Sequence, residues 1–244
     1  MSQQQSEYVA LITGANKGIG FETARQLGEQ GITVLVGSRN HHQGEQAASS
    51  LQAKGVKART LVIDVTNQDT IDAAVGEVTR TFGKLDILVN NAGISLEAVP
   101  PSQSQMENLR KTFETNFFGA FAVTKAFLPL IQKAEAGRIV NVSSGLGSLT
   151  SLSNPARVEY ALNILGYTAS KAALNALTVT LAKELRTTSV KVNSADPGPT
   201  ATDLNNFRGA QTPEHAAAVI VRLATLPPEG ATGTFFEQDG KLPW

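Results

Sequence analysis

The chain has 244 residues, of which 41% are hydrophobic and 17% are charged, so it has enough apolar material for a sizeable core. Lys plus Arg equals Asp plus Glu at 21 residues each, and this balance gives no overall field that would attract nucleic acid or an anionic membrane. There are no cysteines, which excludes disulfides, thiolate catalysis and cysteine-ligated metal sites.

The histidines and the apolar stretches argue against a metal site and a membrane span. His41 and His42 are adjacent at the start of a polar segment with no third ligand nearby, which favours a solvated helix start. The most apolar long stretch, Phe117–Ile131, contains Lys125 and Pro129 and is too short to span a bilayer. Because the first residues lack the basic start and long apolar run of a signal peptide, we expect a cytoplasmic protein.

Short β-rich runs alternate with longer helical patterns along the chain. The predicted strands, most of them apolar on both sides, are Tyr8–Thr13, Ile32–Gly37, Ala58–Ile63, Leu85–Asn90, Arg138–Val142, Val190–Ser194 and Thr234–Glu237. The predicted helices are Ile19–Gln30, Gln43–Lys54, Gln68–Phe82, Met106–Lys133, Thr168–Arg186 and Pro213–Leu226. This alternation predicts a single-domain α/β Rossmann fold with a doubly wound, mostly parallel sheet of seven strands. We expect one domain over residues 1–244, because no linker or repeat interrupts the pattern.

Two stretches break the alternation. Gly145–Ala161 is a polar connection that contains glycine and serine, and Asp203–Gln211 is a short irregular segment before the last helix. Both follow the carboxyl ends of predicted strands, where open α/β sheets place their ligands. We therefore expect the functional site at this edge of the sheet.

A glycine-rich turn, Thr13–Gly20, joins the first predicted strand to the first predicted helix. At such a turn, backbone N–H groups and the positive helix terminus face a pyrophosphate, and glycine allows a close approach. The spacing is G-x3-G-x-G rather than G-x-G-x-x-G, and a tight structural loop is the alternative interpretation. The position between a strand and a helix favours a dinucleotide site. Its expected binding residues are Gly14, Asn16, Lys17, Gly18, Ile19 and Gly20.

The end of the second predicted strand indicates which dinucleotide is bound. NAD-binding folds usually carry Asp or Glu there for the ribose 2′-hydroxyl, whereas this strand ends in Ser38 and Arg39. An arginine beside a small hydroxyl residue, with Lys17 in the glycine turn, suits a 2′-phosphate, which arginine can grip through two hydrogen bonds. We therefore predict NADPH/NADP+ rather than NADH. The alternative is two ordinary surface cations.

Two further strand ends complete the predicted cofactor site. Asp64 and Val65 follow the third strand, where a carboxylate can accept from the adenine amino group and an apolar side chain can flank the ring. An Asp at this place is often only a helix cap. The fourth strand ends in Asn90, Asn91, Ala92 and Gly93. We expect the small residues to let the chain pass under the cofactor, and the Asn amides to tie neighbouring strands together.

The candidate chemical groups follow later in the chain. Tyr167 and Lys171 are four residues apart on a predicted helix, so the phenol and the ammonium share one face. A lysine charge close to a phenol lowers its pKa, which makes the tyrosine a usable general acid for a carbonyl oxygen. A surface pair is the alternative. Ser143 and Ser144 end the fifth strand, where a hydroxyl can polarise a substrate oxygen. Asn116 is unfavourable in mid-helix, which indicates a use such as holding a water that links Lys171 to solvent.

Taken together, these motifs resemble the short-chain dehydrogenase/reductase family over essentially the whole chain. The matching elements are Thr13-Gly14-x3-Gly18-Ile19-Gly20, Asp64-Val65, Asn90-Asn91-Ala92-Gly93, Asn116-x2-Gly119, Val142-Ser143-Ser144, Tyr167-x3-Lys171 and Pro197-Gly198-x3-Thr202. The tetrad that the resemblance implies is Asn116, Ser144, Tyr167 and Lys171, Ser144 being the second residue of its serine pair. The resemblance also implies cofactor contacts from Tyr167, from Lys171 on the nicotinamide ribose, and from Pro197, Gly198, Thr200 and Thr202 around the nicotinamide amide.

A closer resemblance is to the NADPH-dependent carbonyl reductases of animals and their plant and microbial relatives. It is carried by Asn16-Lys17-Gly18-Ile19-Gly20, Thr115–Gly119 and the closing Trp244. It implies that aldehydes and ketones, as small-molecule substrates, are reduced to alcohols by hydride transfer, with Tyr167 as the proton donor. The gap from Ser144 to Tyr167 is longer than is common in the family, yet shorter than in animal carbonyl reductases, whose insertion blocks the usual subunit packing. The oligomeric state, monomer or homo-oligomer, therefore stays open.

Two other functions remain open on this fold. A secondary-alcohol or steroid dehydrogenase would run in the oxidising direction. Cells keep the NADPH pool reduced, so the predicted preference for NADPH argues against this direction. A non-catalytic NADP(H)-binding regulator is also compatible, because a fold does not fix a function. Such a regulator has no need to keep all four tetrad residues.

Overall fold

A computed structural model describes residues 8–244; residues 1–7, on which the expectation about a signal peptide rests in part, lie outside the described residues. The strands are β1 Val9–Thr13, β2 Thr33–Ser38, β3 Ala58–Val62, β4 Ile87–Asn90, β5 Arg138–Val142, β6 Lys191–Ala195, β7 Phe235–Glu237 and β8 Gly240–Leu242. They form one sheet in the order β3-β2-β1-β4-β5-β6-β7-β8, in which only β8 is antiparallel to its neighbour. The predicted doubly wound α/β fold is confirmed.

The sheet has eight strands where the sequence predicts seven. Strand β8 turns back on β7 and pairs Phe235 with Leu242. It is only three residues long, too short for an alternating pattern to stand out from the surrounding sequence. Beyond it, Trp244 stacks on Phe235 with 5.5 Å between the ring centroids.

The helices lie close to their predicted positions. They are α1 Gly18–Glu29, α2 His41–Gln52, α3 Gln68–Phe82, α4 Met106–Phe113, α5 Ala120–Ile131, α6 Leu149–Leu152, α7 Leu165–Glu184 and α8 Pro213–Ala224. The Asn40 side chain caps α2 by accepting from the Gln43 N–H at 3.0 Å. His41 and His42 therefore open this helix, as predicted, and residues 8–244 contain no cluster of side chains that could hold a metal ion.

The long helix predicted over Met106–Lys133 is not uniform. A π-helical segment, Glu114–Gly119, separates α4 from α5. Such segments are rare and are often found at functional sites. Local periodicity does not reveal this segment, because Asn116 within it is held by contacts to the distant residue Ile94.

Two apolar layers cover the sheet. One packs α1, α2 and α8 against it through side chains such as Leu27, Leu51 and Ile220. The other packs α3, α5 and α7 through side chains such as Ile71 and Phe127. Within residues 8–244, no helix combines the length and the apolar character needed to cross a membrane.

A chain of buried polar groups crosses the sheet near its carboxyl edge. The Asn90 amide donates to the Asn141 side-chain oxygen at 2.8 Å, and Asn141 donates to the Thr178 hydroxyl at 2.8 Å. The Thr178 and Ser194 hydroxyls are 2.8 Å apart. These bonds satisfy polar groups that would be costly to bury alone. They hold β4, β5, β6 and α7 in fixed relation beside the site.

Phe127 is fully buried, and its loss tests the core layer that supports the candidate site. We expect Phe127→Ala to lower the free energy of unfolding by about 3–5 kcal/mol, because it removes buried apolar surface and leaves a cavity. Phe118→Ala is the matched control, since that ring is 51% exposed, and its cost should stay below about 1 kcal/mol. Urea denaturation measures both; equal losses would contradict the packing described.

Candidate active site

The chain reverses its direction of winding between β1 and β4. From β1 the connections run outward to β2 and β3, and from β4 they run the opposite way to β5 and β6. Adjacent loops part at such a point and leave a crevice outside the carboxyl ends of the strands. The glycine turn and the loop after β4 form its two walls.

The glycine turn brings α1 very close to the sheet. Gly14 and Gly18 have φ angles of 65° and 58°, a region that favours glycine. A Cβ on Gly20 would lie 2.5 Å from the Asn91 side-chain nitrogen and 2.7 Å from the Gly14 carbonyl oxygen. Any larger residue at Gly20 would therefore push the helix away, with the half-buried Ile19 beside it.

Thr13 ties the glycine turn to the loop after β4. Its hydroxyl accepts from the backbone N–H groups of Asn91 and Ala92, both at 3.0 Å. The Asn91 amide donates in return to the Thr13 carbonyl at 2.8 Å. The expectation that Asn amides join neighbouring strands is confirmed here, as it is for Asn90.

The charged residues at the predicted phosphate end are differently engaged. Arg39 is exposed and forms no ion pair with any residue in the described range. Lys17 pairs with Asp203, with 3.0 Å between Nζ and the carboxylate oxygen and both side chains more than half exposed. Lys17 would have to leave Asp203 to join Arg39 on a phosphate. Ser38 is buried and donates to the Asn40 carbonyl at 2.9 Å, while the Asn16 amide contacts Gln43.

Asp64 has a local partner. Its Oδ1 accepts from the Thr66 N–H at 2.9 Å and from the Thr66 hydroxyl at 2.8 Å, forming the turn that leads into α3. Val65 is buried against Gly119, where a Cβ would lie only 2.8 Å from its side chain. One carboxylate oxygen of Asp64 thus serves the turn, while the N-cap of α3, the alternative role for Asp64, belongs to Asn67.

Three tetrad candidates meet at the ends of β5 and α7. The Ser144 side chain lies close enough to the Tyr167 phenol to lower its pKa by hydrogen bonding. Lys171 lies one helical turn beyond Tyr167, and its Nζ is 5.5 Å from the centre of the phenol ring. The same Nζ donates to the Val142 carbonyl at 2.7 Å.

Asn116 lies beside this group and is held at both ends of its amide. Its oxygen accepts from the Ile94 N–H at 2.8 Å, while its nitrogen donates to the Ile94 carbonyl at 2.9 Å and to the Ser170 hydroxyl at 3.0 Å. A Cβ on Gly93 would lie 3.4 Å from the Asn116 oxygen and 3.5 Å from Lys171 Nζ. The structure thus gathers Asn116 and Lys171 around Gly93.

The segment after β6 reaches back to the glycine turn. Gly198 has a φ angle of 72°, and the Thr200 hydroxyl donates to its carbonyl at 3.0 Å. Gln211 bonds the Pro197 carbonyl and holds the segment from its far end. A Cβ on Gly18 would be 3.5 Å from the Thr202 methyl group. These contacts place the loop from Pro197 to Thr202 over the same crevice.

Comparison with known proteins agrees with this geometry. A family model for short chain dehydrogenases matches residues 8–213. The chain belongs to the short-chain dehydrogenase family. It is 39% identical to short-chain dehydrogenase anuI of Penicillium roqueforti, covering 96% of this chain and 92% of that one. It is 34% identical to (-)-isopiperitenone reductase of Mentha piperita, covering 96% and 97%.

A solved structure, the NADPH-bound carbonyl reductase from chicken fatty liver, superposes with a TM-score of 0.85 at 25% identity and covers 98% of this chain and 99% of that one. The predicted membership of the short-chain dehydrogenase/reductase family is confirmed. Since family members are named reductases and dehydrogenases, the protein is an oxidoreductase.

Burial controls the electrostatics of this dehydrogenase more than the lysine does. Burial raises the pKa of Tyr167 above its ordinary value, the charge of Asp196 raises it further, and the hydrogen bond from Ser144 only opposes the rise. The pKa of Tyr167 is thus raised, where the sequence predicts a lowering by Lys171. Burial lowers the pKa of Lys171 to about 8, against the opposing effect of Asp196.

Asp196 is a further charged residue of the site that the sequence motifs do not indicate. This residue follows β6 directly and is only 7% exposed, and its charge acts on both Tyr167 and Lys171. Its position between a strand and Pro197-Gly198 can be read from the sequence. The contacts of its carboxylate cannot, because they involve loops that are distant in the sequence.

Lys171 should make the folded protein less stable at neutral pH. Its pKa of about 8 lies below the ordinary 10.5, so the unfolded chain binds more protons between these values and stability rises with pH across that window. We expect Lys171→Met to exceed the wild type in free energy of unfolding near pH 7 by on the order of 1–3 kcal/mol, because it removes a buried charge.

The difference in free energy of unfolding between Lys171→Met and the wild type should become smaller as the pH rises through about 8 toward about 9.5, because the wild-type lysine becomes neutral there. Denaturant titrations over this range measure it. Lys183→Met, at an exposed position of the same helix, should show no pH-dependent gap. A Lys171→Met gap that stays constant with pH would contradict the burial of its charge.

Proposed function

We propose that the protein reduces aldehydes or ketones to alcohols with NADPH. The observation that carries this proposal is the grouping of buried Tyr167 and Lys171, with 5.5 Å between the Lys171 Nζ and the phenol ring centre, beside the Ser144 side chain. The relatives named reductases, and the NADPH-bound carbonyl reductase that shares this fold, support it.

The crevice fits a dinucleotide with a 2′-phosphate. The close approach of α1 at Gly20 leaves the turn without side-chain bulk where a pyrophosphate would lie. Arg39 is free to meet an added negative charge, and no carboxylate stands at Ser38 to repel it. The residues proposed to hold NADPH are Gly14, Asn16, Lys17, Gly18, Ile19, Gly20, Ser38, Arg39, Asp64, Val65, Asn91, Ala92, Gly93, Tyr167, Lys171, Pro197, Gly198, Thr200 and Thr202. When bound, NADPH supplies the hydride.

Tyr167 is the proposed proton donor. Its raised pKa keeps the phenol protonated at physiological pH, so the proton is present when a carbonyl oxygen needs it. An alkoxide is a stronger base than a phenolate, and the transfer therefore runs toward the substrate oxygen despite the raised pKa. The Ser144 hydroxyl can bond that oxygen and stabilise the charge that develops on it.

Lys171 and Asn116 support the proton transfer. The Lys171 ammonium is 5.5 Å from the ring centre, where it stabilises a phenolate once the proton has left. Its pKa of about 8 lets it exchange protons near neutral pH. Asn116 fixes the loop at Ile94 on the other side of Gly93 and so shapes the space in which a proton-carrying water would lie.

Tyr167→Phe tests the chemical assignment. We expect kcat for carbonyl reduction to fall by about 100-fold or more, because the proton donor is lost, while NADPH affinity measured by fluorescence stays near that of the wild type. Tyr160→Phe is the matched control, since that tyrosine is 54% exposed and should leave kcat unchanged. Turnover by Tyr167→Phe close to the wild-type value would reject the scheme.

Arg39→Ala tests the coenzyme assignment. Loss of a charge-assisted contact to the 2′-phosphate should raise the KM for NADPH by about tenfold or more and leave the KM for NADH unchanged. Arg110→Ala, another exposed arginine that lies on α4, should change neither. Steady-state assays with both coenzymes in both directions measure this; an equal effect on NADPH and NADH would show that the phosphate lies elsewhere.

A further inference from the structure

Asp196 is a buried carboxylate that the proposed chemistry does not use. It follows β6 at the carboxyl edge of the sheet and is 7% exposed. No lysine or arginine side chain forms an ion pair with it within residues 8–244. A buried charge without a cationic partner is costly unless several hydrogen bonds satisfy it. Its retention beside Ser144 and Tyr167 therefore calls for a reason.

The two oxygens of Asp196 serve two different loops. Oδ1 accepts from the Gly198 N–H at 2.9 Å. Oδ2 lies against Gly145, 3.0 Å from where a Cβ of that residue would stand, and hydrogen bonding from the Gly145 backbone opposes the rise in the pKa of the carboxyl. A carboxylate presents an acceptor oxygen on each side, whereas an amide replaces one of the two oxygens by a hydrogen-bond donor.

The two donors belong to the two halves of the candidate site. Gly145 directly follows Ser144 and begins a short 3-10 turn, Gly145–Gly147. In this turn the Leu146 N–H donates to the Ser144 hydroxyl at 3.2 Å. Gly198 belongs to the segment proposed to hold the nicotinamide amide. The carboxylate of Asp196 therefore links the group that polarises the substrate oxygen to the loop that positions the hydride donor.

Charged groups surround Asp196 on several elements. The Glu159 carboxylate also lies against Gly145 and is paired with Arg157, which contacts Glu237 on β7 at 3.6 Å. Tyr167 and Lys171 face it from α7. Burial, together with the charges of the two glutamates, raises the pKa of Asp196 above its ordinary value, and the N–H groups of Gly198 and Gly145 oppose this rise by favouring the ionised form.

We propose that Asp196 is a positioning residue for the reduction, whose carboxylate holds Ser144 and the Pro197–Thr202 loop at the separation that hydride transfer needs. This role rests on the proposed function. It acts through Gly145 and Gly198, without contact to the substrate. A displacement of about 1 Å between reacting groups can slow a reaction about 100-fold, so a role of this kind is measurable.

Asp196→Asn tests the role, because it keeps the size of the side chain and removes one acceptor. We expect kcat to fall by about 10- to 100-fold with little change in the KM for the carbonyl substrate or in the affinity for NADPH. The isotope effect on kcat with NADPH deuterated at the transferred position should increase, because hydride transfer becomes more rate-limiting. A smaller fraction of folded enzyme would lower kcat without moving the isotope effect.

Asp239→Asn is the matched control, since this exposed aspartate lines the same cavity of about 450 Å³ as Asp196. It removes an equal charge and should leave kcat and the isotope effect at wild-type values. Asp196→Ser, a smaller one-sided replacement, should repeat the effect of Asp196→Asn.

The outcomes separate this role from the proposed function. An active wild type with a normal kcat and isotope effect in Asp196→Asn would overturn the role of Asp196 alone. Loss of folded protein in both Asp196 variants would assign the residue to the fold and overturn it as well. A wild type that reduces no carbonyl compound with NADPH would instead contradict the proposed function.

Discussion

The parallel arrangement of β1, β4, β5 and β6 constrains everything at the site. Parallel strands all end at the same edge of the sheet. Their pairing runs across it without a break: Ile12 pairs with Val89, Val89 with Val140, and Val142 with Ala195. Segments more than a hundred residues apart in sequence are thereby brought to one crevice. The buried bonds between Asn90, Asn141 and their neighbours keep these strand ends in fixed relation.

Within that edge, burial sets the chemistry of the titratable groups. The phenol of Tyr167 and the ammonium of Lys171 both lie where their charged forms are poorly solvated, so one pKa rises and the other falls. The two pKa values, ordinarily close together, therefore move apart: the phenol keeps its proton at physiological pH, while the ammonium can lose one near pH 8. The surrounding apolar layers of the sheet supply the stability that offsets the cost of placing charges there.

Features with a local origin could be predicted from the sequence. The glycine turn needs residues that allow a positive φ and a close helix, and a four-residue spacing places Tyr167 and Lys171 on one face of any helix. Features that depend on distant partners could not. The π-helical segment contains Asn116, which bonds the distant residue Ile94, and the rise in the pKa of Tyr167 follows from burial and from Asp196.

The sequence by itself therefore determined the α/β alternation, the glycine turn, the absence of a carboxylate at Ser38 and the four-residue spacing of Tyr167 and Lys171. Each depends on residue type and on spacing within one or two elements. Only the tertiary structure decided that Lys17 pairs with Asp203, that Lys171 donates to Val142, and that Asp196 joins two loops. Those contacts are made between elements far apart in the chain, and side-chain directions there are set by packing, which no local pattern records.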